Sequence, residues 1–349
     1  MEYRQLGRSG LRVSTITLGT MGFGGTGWAS PIGHLDVAGA RRQIDICLDA
    51  GVNLFDTADV YSSGLSEQIL GEALGTRRED VLIATKVRGD MGDGPNDGGL
   101  SRYHIVRAAE ASLRRLGTDH IDLYQVHEWD GLTPLDETLA ALDALVSSGK
   151  VRYIGSSNYT AWQLMKALWT SDRRGYESFV SEQIYYSLQA RDAENELVPI
   201  AIDQGLAILV WSPIAGGLLS GKYRRGQAAP EGTRRFEGWT EPPVHDEDRL
   251  YDTIDALVAI GESHDVSAAQ VALAYTLAKP AVTSVIVGAR TDEQLADNLA
   301  AADLELAADE IARLDAVSLE PLRYPHWHQL GASDRTGPAT QALLAPHLG

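Results

Sequence analysis

The sequence predicts a closed (β/α)8 barrel, on three observations. Eight short apolar runs rich in β-branched residues recur along the chain. The longer segments between them repeat their apolar positions at three and four residues, the helical period. The chain has 349 residues, 44% of them hydrophobic, enough to bury a large core. Near-continuous apolar strands alternating with helices need a parallel sheet covered on its faces, and eight such units in roughly 300 residues fit a ring. A doubly wound open sheet is the alternative. The expected organisation is one domain over residues 1–349: a hairpin at 1–14, the barrel at 15–303, and a C-terminal helix and tail at 304–349.

In chain order, Tyr3 to Leu6 and Leu11 to Val13 flank Gly7-Arg8-Ser9-Gly10, a hairpin placed to plug one barrel end. The strand runs follow: Thr15 to Leu18, Val52 to Phe55, Val81 to Thr85, Ile121 to Val126, Val151 to Gly155, Phe179 to Ile184, Leu206 to Trp211 and Ser284 to Val287. Several helices declare their starts. Thr160 with Gln163, Ser267 with Gln270 and Thr291 with Gln294 have capping-box spacing, and Thr133-Pro134 sets a proline at a first helical position. Two segments break the alternation, Gly226 to Asp246 and Glu320 to Gly349. Irregular stretches of that length act as lids or binding loops, or form a loose tail.

Composition excludes several functions. Lys plus Arg number 30 and Asp plus Glu 48, a net charge of −18 that repels phosphate backbones and anionic lipid. Nucleic acid and membrane are therefore not expected as partners. The N-terminus shows no secretory signal, which points to the cytoplasm. The longest charge-free apolar stretch, Gly205 to Gly221, carries Pro213 and is short for a membrane span. Cys47 is the only cysteine, and with Val37, Ala40, Ile44 and Leu48 it lies on a helical apolar stripe as a core thiol. Nine scattered histidines include no H-E-x-x-H, and His326-x-His328 reads as a solvated pair, so no metal is expected.

Two glycine motifs mislead. Gly22-Phe23-Gly24-Gly25-Thr26-Gly27 satisfies the dinucleotide fingerprint, but Pro31 follows and no helical period appears until about Asp36. Gly216-Gly217-Leu218-Leu219-Ser220-Gly221-Lys222 matches a phosphate loop up to its lysine, but Tyr223 replaces the hydroxyl residue that magnesium needs. Its backbone amides can still approach a phosphate.

In a barrel the chemistry sits at the C-terminal ends of the strands. Asp56 follows the second run, with Tyr61 five residues on. Lys86 follows the third run and His127 the fourth. Ser157 and Asn158 follow the fifth, Gln183 lies on the sixth, Trp211-Ser212 ends the seventh, and Gly288 to Arg290 ends the eighth. Singly, Asp56 could cap a turn, Lys86 snorkel, His127 sit in a core and Tyr61 simply pack. Together they put a proton donor, a cation, its counter-ion and a neutral polar ring around one cavity. Such a group delivers a proton to a carbonyl oxygen while hydride arrives at carbon, because a cation makes a neighbouring phenol a better acid.

The residues that carry this pattern resemble the aldo-keto reductase superfamily, nearly end to end. The motifs are Asn53-Leu54-Phe55-Asp56-Thr57-Ala58-Asp59-Val60-Tyr61, Ala84-Thr85-Lys86, Asp119 to His127, and Lys150 to Asn158. The stretch Gly288 to Asn298 closes the likeness. Long-loop bacterial members are similar, including some like potassium-channel β-subunits. The resemblance implies a (β/α)8 barrel binding NADP(H), with Tyr61 as general acid and base and Asp56, Lys86 and His127 around it. It implies that Ser157, Asn158 and Gln183 hold the carboxamide and Trp211 stacks on the nicotinamide. Gly19, Thr20, Met21 and Asp56 would border the same cofactor. Ser212, Pro213, Ile214, Gly216, Leu218, Gly221 and Lys222 would line its pyrophosphate, and Gly288, Arg290, Gln294 and Asn298 its adenosine phosphate and adenine.

The implied activity is NADPH-dependent reduction of aldehydes or ketones, reversible as alcohol oxidation. A cofactor-binding redox sensor with slow turnover is the alternative. The loops at Glu128 to Leu132, at Gly226 to Asp246 and in the tail would choose the substrate, with Trp28, Trp129, Trp239 and Trp327 forming an aromatic pocket or covering the barrel rim.

Overall fold

Each of the eight apolar runs is a strand of one closed barrel. A computed structural model describes residues 1–348, the side chains of Trp28 and Ser333 excepted. The hairpin strands are β1 (Tyr3–Gln5) and β2 (Arg12–Ser14), antiparallel with Tyr3 opposite Ser14. The barrel strands are β3 (Ile16–Gly19), β4 (Leu54–Asp56), β5 (Leu82–Val87), β6 (Ile121–Val126), β7 (Val151–Ser157), β8 (Ser181–Tyr185), β9 (Ala207–Trp211) and β10 (Val282–Val287). Neighbours pair in parallel, and β10 returns to β3 to close the ring.

The helices are α1 (Val37–Asp49), α2 (Leu65–Leu74), α3 (Arg102–Leu116), α4 (Leu135–Ser147), α5 (Ala161–Arg174), α6 (Ala193–Gln204), α7 (Glu247–His264), α8 (Ala268–Leu277), α9 (Asp292–Ala300), α10 (Ala308–Ser318), α11 (His326–Gln329) and α12 (Pro338–Leu344). The capping signals place three of these starts: Thr160 with Gln163 forms a capping box, and Ser267 and Thr291 each accept from the backbone of the residue three further on. Pro134 departs from expectation. It is the N-cap of α4 rather than its first helical residue, because its ψ of 125° is not yet helical.

Strand parity divides the barrel interior into layers. In a strand, side chains two apart share a face. Leu54, Ala84, Leu123 and Leu209 point inward at the lower level, where Leu6 and Val13 of the hairpin join them in one apolar cluster. The hairpin is thus a plug for the N-terminal end. Two residues further along, the same face carries Asp56, Lys86, Gln125 and Trp211. The barrel is therefore dry at its base and polar towards its C-terminal mouth. A larger apolar cluster fills the space between the sheet and α1 to α6, and a second one packs α7, α8 and α10.

Candidate active site

Parity and register bring the polar layer together. Lys86 lies opposite Gln125 across β5 and β6, and it is fully buried. Its ammonium donates to Asp56 Oδ1 at 2.5 Å, to the Thr57 carbonyl at 2.9 Å and to Tyr61 Oη at 3.3 Å. Three acceptors use the three protons of one ammonium. Burial is the strongest single influence and works against that charge, but the Asp56 carboxylate and the Tyr61 oxygen together outweigh it and hold the lysine pKa above its ordinary value.

Tyr61 is aimed by an unusual turn. Ser62 and Ser63 adopt left-handed backbone, with φ of 49° and 56°, and Gly64 follows at 90°. Non-glycine residues pay a steric cost there and need support. The glycine run that mimics a dinucleotide fingerprint supplies it: the Gly25 amide donates to Ser62 Oγ at 3.0 Å, Ser62 Oγ donates to the Phe23 carbonyl, and Thr26 Oγ1 donates to the Ser62 carbonyl at 2.7 Å. Gly25 itself approaches Gly33 so closely that an added Cβ would lie 2.3 Å from its carbonyl oxygen. The motif is a brace; a single 3-10 turn, Gly27–Ala29, follows it and no α-helix opens on it.

His127 completes the group, its ring edge-on to Tyr61 at 5.9 Å and 74°. Burial, then the charges of Lys86 and Arg88, lower its pKa to about 3, so the ring is neutral near pH 7 and can donate one hydrogen bond. Burial likewise raises the Tyr61 phenol, while Lys86 pulls it back down. The cation makes the phenol a stronger acid than burial alone would, although the balance still lies above the ordinary tyrosine value.

A cavity of about 570 Å³ opens beside these groups and runs along the mouth towards α9. Asp56, Tyr61 and His127 border it, as do Gly19, Met21, Ser157, Asn158, Gln183 and Trp211. Asn158 takes a left-handed φ of 56°, and its Oδ1 accepts from the Trp211 indole at 3.0 Å, which fixes the ring. Ser212, Ala215, Gly216 and Gly217 all have positive φ, and the Gly216 amide meets Ser212 Oγ at 2.8 Å. The Ala215 and Gly217 amides donate to the Ser212 and Ile214 carbonyls, so the turn is held by its own hydrogen bonds. Pro213, Ile214, Lys222, Gly288, Arg290, Gln294 and Asn298 also line the cavity.

Several expected contacts fall elsewhere. Thr20, Leu218 and Gly221 stand behind the cavity wall: Thr20 is tied to the Asp56 carbonyl and Ser66, Leu218 is core, and Gly221 packs against Val258 and Ala268. Of the four tryptophans, Trp239 borders the cavity. Trp129 instead packs against Tyr159 and Trp162. Trp327 is half exposed beside Tyr324 and His328 and does not border the cavity, in a tail tied to the start of α6 through Arg323 to Asp192 and His326 to Glu196. The side chain of Trp28 lies outside the described residues.

Arg234, which sequence reasoning passed over, borders the cavity with Arg290. Burial, then the Arg290 charge, lowers its pKa. Arg290 donates to the Gly232 carbonyl, yet its buried Nη2 has no hydrogen-bond partner. Two crowded guanidiniums with an orphan donor fit a phosphate. Among the described residues, no group of three or more His, Cys, Asp or Glu could hold a metal ion, and no helix is long and apolar enough to cross a membrane.

A (β/α)8 barrel with a Tyr–Lys–Asp–His group at its mouth and a phosphate-suited groove beside it defines an oxidoreductase. The chain belongs to the aldo/keto reductase family, whose model matches residues 15–319. It is 43% identical to an uncharacterized oxidoreductase of Bacillus subtilis, YrpG, over 91% of this chain and 96% of that protein. It is 37% identical to a probable voltage-gated potassium channel subunit beta of Arabidopsis thaliana, over 87% and 92%. It is 35% identical to versiconal hemiacetal acetate reductase of Aspergillus parasiticus, over 90% and 96%.

Proposed function

We propose that this protein is an NADPH-dependent reductase of aldehydes or ketones, reversible as an alcohol dehydrogenase, acting on a small-molecule carbonyl in the cytoplasm. The observation that carries the reading is Lys86, held between Asp56 at 2.5 Å and Tyr61 at 3.3 Å on the wall of a cavity. Ser157, Asn158 and Gln183 would hold the carboxamide of NADPH, Trp211 its ring face, the Ser212 to Gly217 turn with Lys222 its pyrophosphate, and Arg290 with Arg234 its adenosine phosphate. The cofactor, when bound, supplies a hydride.

The chain's own residues supply the rest. Tyr61 Oη accepts from Lys86, so the proton the phenol can give is its own O–H, and it goes to the carbonyl oxygen. Lys86 stabilises the phenolate left behind, and Asp56 keeps Lys86 charged and in place. His127, neutral, donates to the same carbonyl oxygen and orients it.

Loss of reduced-nicotinamide absorbance with a panel of aldehydes, ketones and keto-sugars tests the reading. Turnover on one class of carbonyl is expected. The likeness to proteins named as channel β-subunits favours a second reading, a redox sensor that binds NADPH with slow turnover. Tight binding without turnover across the panel would support the sensor and overturn the reductase.

A further inference from the structure

The reading above leaves Gln125, a fully buried polar side chain on the inward face, without a task. Gln125 points into the barrel from β6, at the level where Asp56, Lys86 and Gln183 also point inward. Burying an amide is costly unless its hydrogen bonds are made, and methionine would fill the same space at no such cost. The bonds are made, and their direction is informative. Gln125 Nε2 donates to Asp56 Oδ2 at 3.2 Å, and Gln183 Nε2 donates to the same oxygen at 2.8 Å. The second Gln183 proton goes to Gln125 Oε1 at 3.2 Å. An ionised carboxylate only accepts, so both amides must turn their NH2 groups towards it. The Gln183 oxygen is then left as an acceptor on a residue that borders the cavity.

The sheet is hollowed to allow this. Gly155 on β7 is the register partner of Gln125, and it separates β6 from the Gln183 strand. A Cβ there would lie 2.6 Å from Ser181 Oγ and 3.3 Å from Gln125 Cγ, in a backbone conformation any residue can adopt. Glycine is needed for room, and the room is what Gln125 crosses to reach Gln183.

We propose that Gln125 is a positioning residue for the proposed reductase: it shares the outer oxygen of Asp56 with Gln183, so that Asp56 holds Lys86 through its inner oxygen and leaves the ammonium directed at Tyr61. The inference rests on the reductase reading for its rate effects. The other charged or titratable groups facing Lys86 and Tyr61 are Asp59 beyond β4, Arg88 at the end of β5 and His127 beyond β6, with Glu67 on α2 and Arg115 on α3 behind Asp59. None of them touches Gln125 by hydrogen bond, so its loss acts through Asp56. Without the Gln125 donor the Asp56 charge is less shared and binds Lys86 more tightly. Lys86 is drawn away from Tyr61, and the phenol keeps its proton to higher pH.

The test is Gln125→Met. Carbonyl reduction should fall roughly tenfold, as expected for losing a hydrogen bond to a charged group. The alkaline break in its pH–rate profile should rise by about half to one pH unit, while the NADPH dissociation constant stays within about threefold. A second readout needs no turnover: tyrosinate ultraviolet absorbance of the cofactor-free protein, with Tyr61→Phe as the blank, should show the Tyr61 titration moved upward. An unmoved titration in Gln125→Met overturns the proposal whatever happens to the rate. Should that variant fail to fold, Gln125→Leu, which also removes the donor and leaves no polar atom to bury, must move the titration upward, and no movement overturns the proposal equally. A wild type without turnover removes the reductase reading alone, whereas an active wild type with an unmoved Gln125→Met removes only this one.

Discussion

Burial and the Lys86 ammonium pull the Tyr61 phenol in opposite directions, burial more strongly, so the phenol is protonated at neutral pH and ready to give that proton up. Tyr61→Phe removes the proton and almost nothing else. Reduction should drop by about 10²- to 10⁴-fold with NADPH binding nearly intact, and wild-type turnover in that variant would end the assignment. The adenosine phosphate poses a second question at this scale. Arg290→Ala and Arg234→Ala should each weaken NADPH by about 1.5 to 3 kcal/mol while leaving NADH nearly untouched. Fluorescence titration of both cofactors decides it, and equal losses for the two would sink the role. Arg290 was legible because it precedes the Thr291 cap. Arg234 was not, since its loop has no periodicity and only the packing of Gly232 against Arg290 brings it to the cavity.

Among the elements, helix starts were readable where a side chain caps its own backbone, as at Thr160, Ser267 and Thr291, because that chemistry is local. The attachment of α10 was not. Arg191, just before α6, is buried and pairs with Glu194 and with Asp315 of α10, while Tyr275 of α8 and Lys279 also bond Asp315. One carboxylate therefore ties three helices. Asp315→Asn leaves Arg191 and Lys279 short of counter-charge, and should cost about 3 kcal/mol of stability. Thermal unfolding checks this, and activity should survive below the transition because the clasp lies away from the cavity. An unchanged midpoint would mean that the network contributes no net stability.

Across the whole molecule, stability depends on carboxyls that the fold keeps neutral. Glu182 is buried behind the carboxamide site, taking the Tyr159 amide at 2.8 Å and the Ser156 hydroxyl, so that it brackets Ser157 and Asn158. Burial raises its pKa from 4.5 to about 8, against the smaller pull of those donors. The folded state then holds a proton that the unfolded chain releases above pH 4.5. The stabilisation is complete below that value and is lost as pH rises through about 8. Glu182→Gln removes the dependence. Relative to that variant, wild type should lose about 2 kcal/mol between about pH 6 and about 8, measured by denaturant unfolding at each pH. Parallel curves for the two proteins would contradict the buried neutral acid.

What the amino-acid order carries unaided is periodic: eight β runs, the helices between them, and therefore the residues that stand at strand ends. Asp56, Lys86 and His127 were legible for that reason, and Tyr61 through its motif. The strands are near-continuous apolar runs, so the sequence does not say which face Gln125 takes, nor that Gln125 and Gln183 meet on a single oxygen. That contact depends on ring closure and on the space Gly155 leaves across a strand. The same holds for the tryptophans, where residue type suggested an aromatic pocket and packing sent Trp129 to Tyr159 and Trp327 to the outside. Local hydrogen bonding and burial periodicity act over a few residues and are written in order along the chain. Which side chains share a cavity depends on contacts between distant parts of the chain, as between Asp56 and Gln183, 127 residues apart, and those are chosen only when the barrel closes.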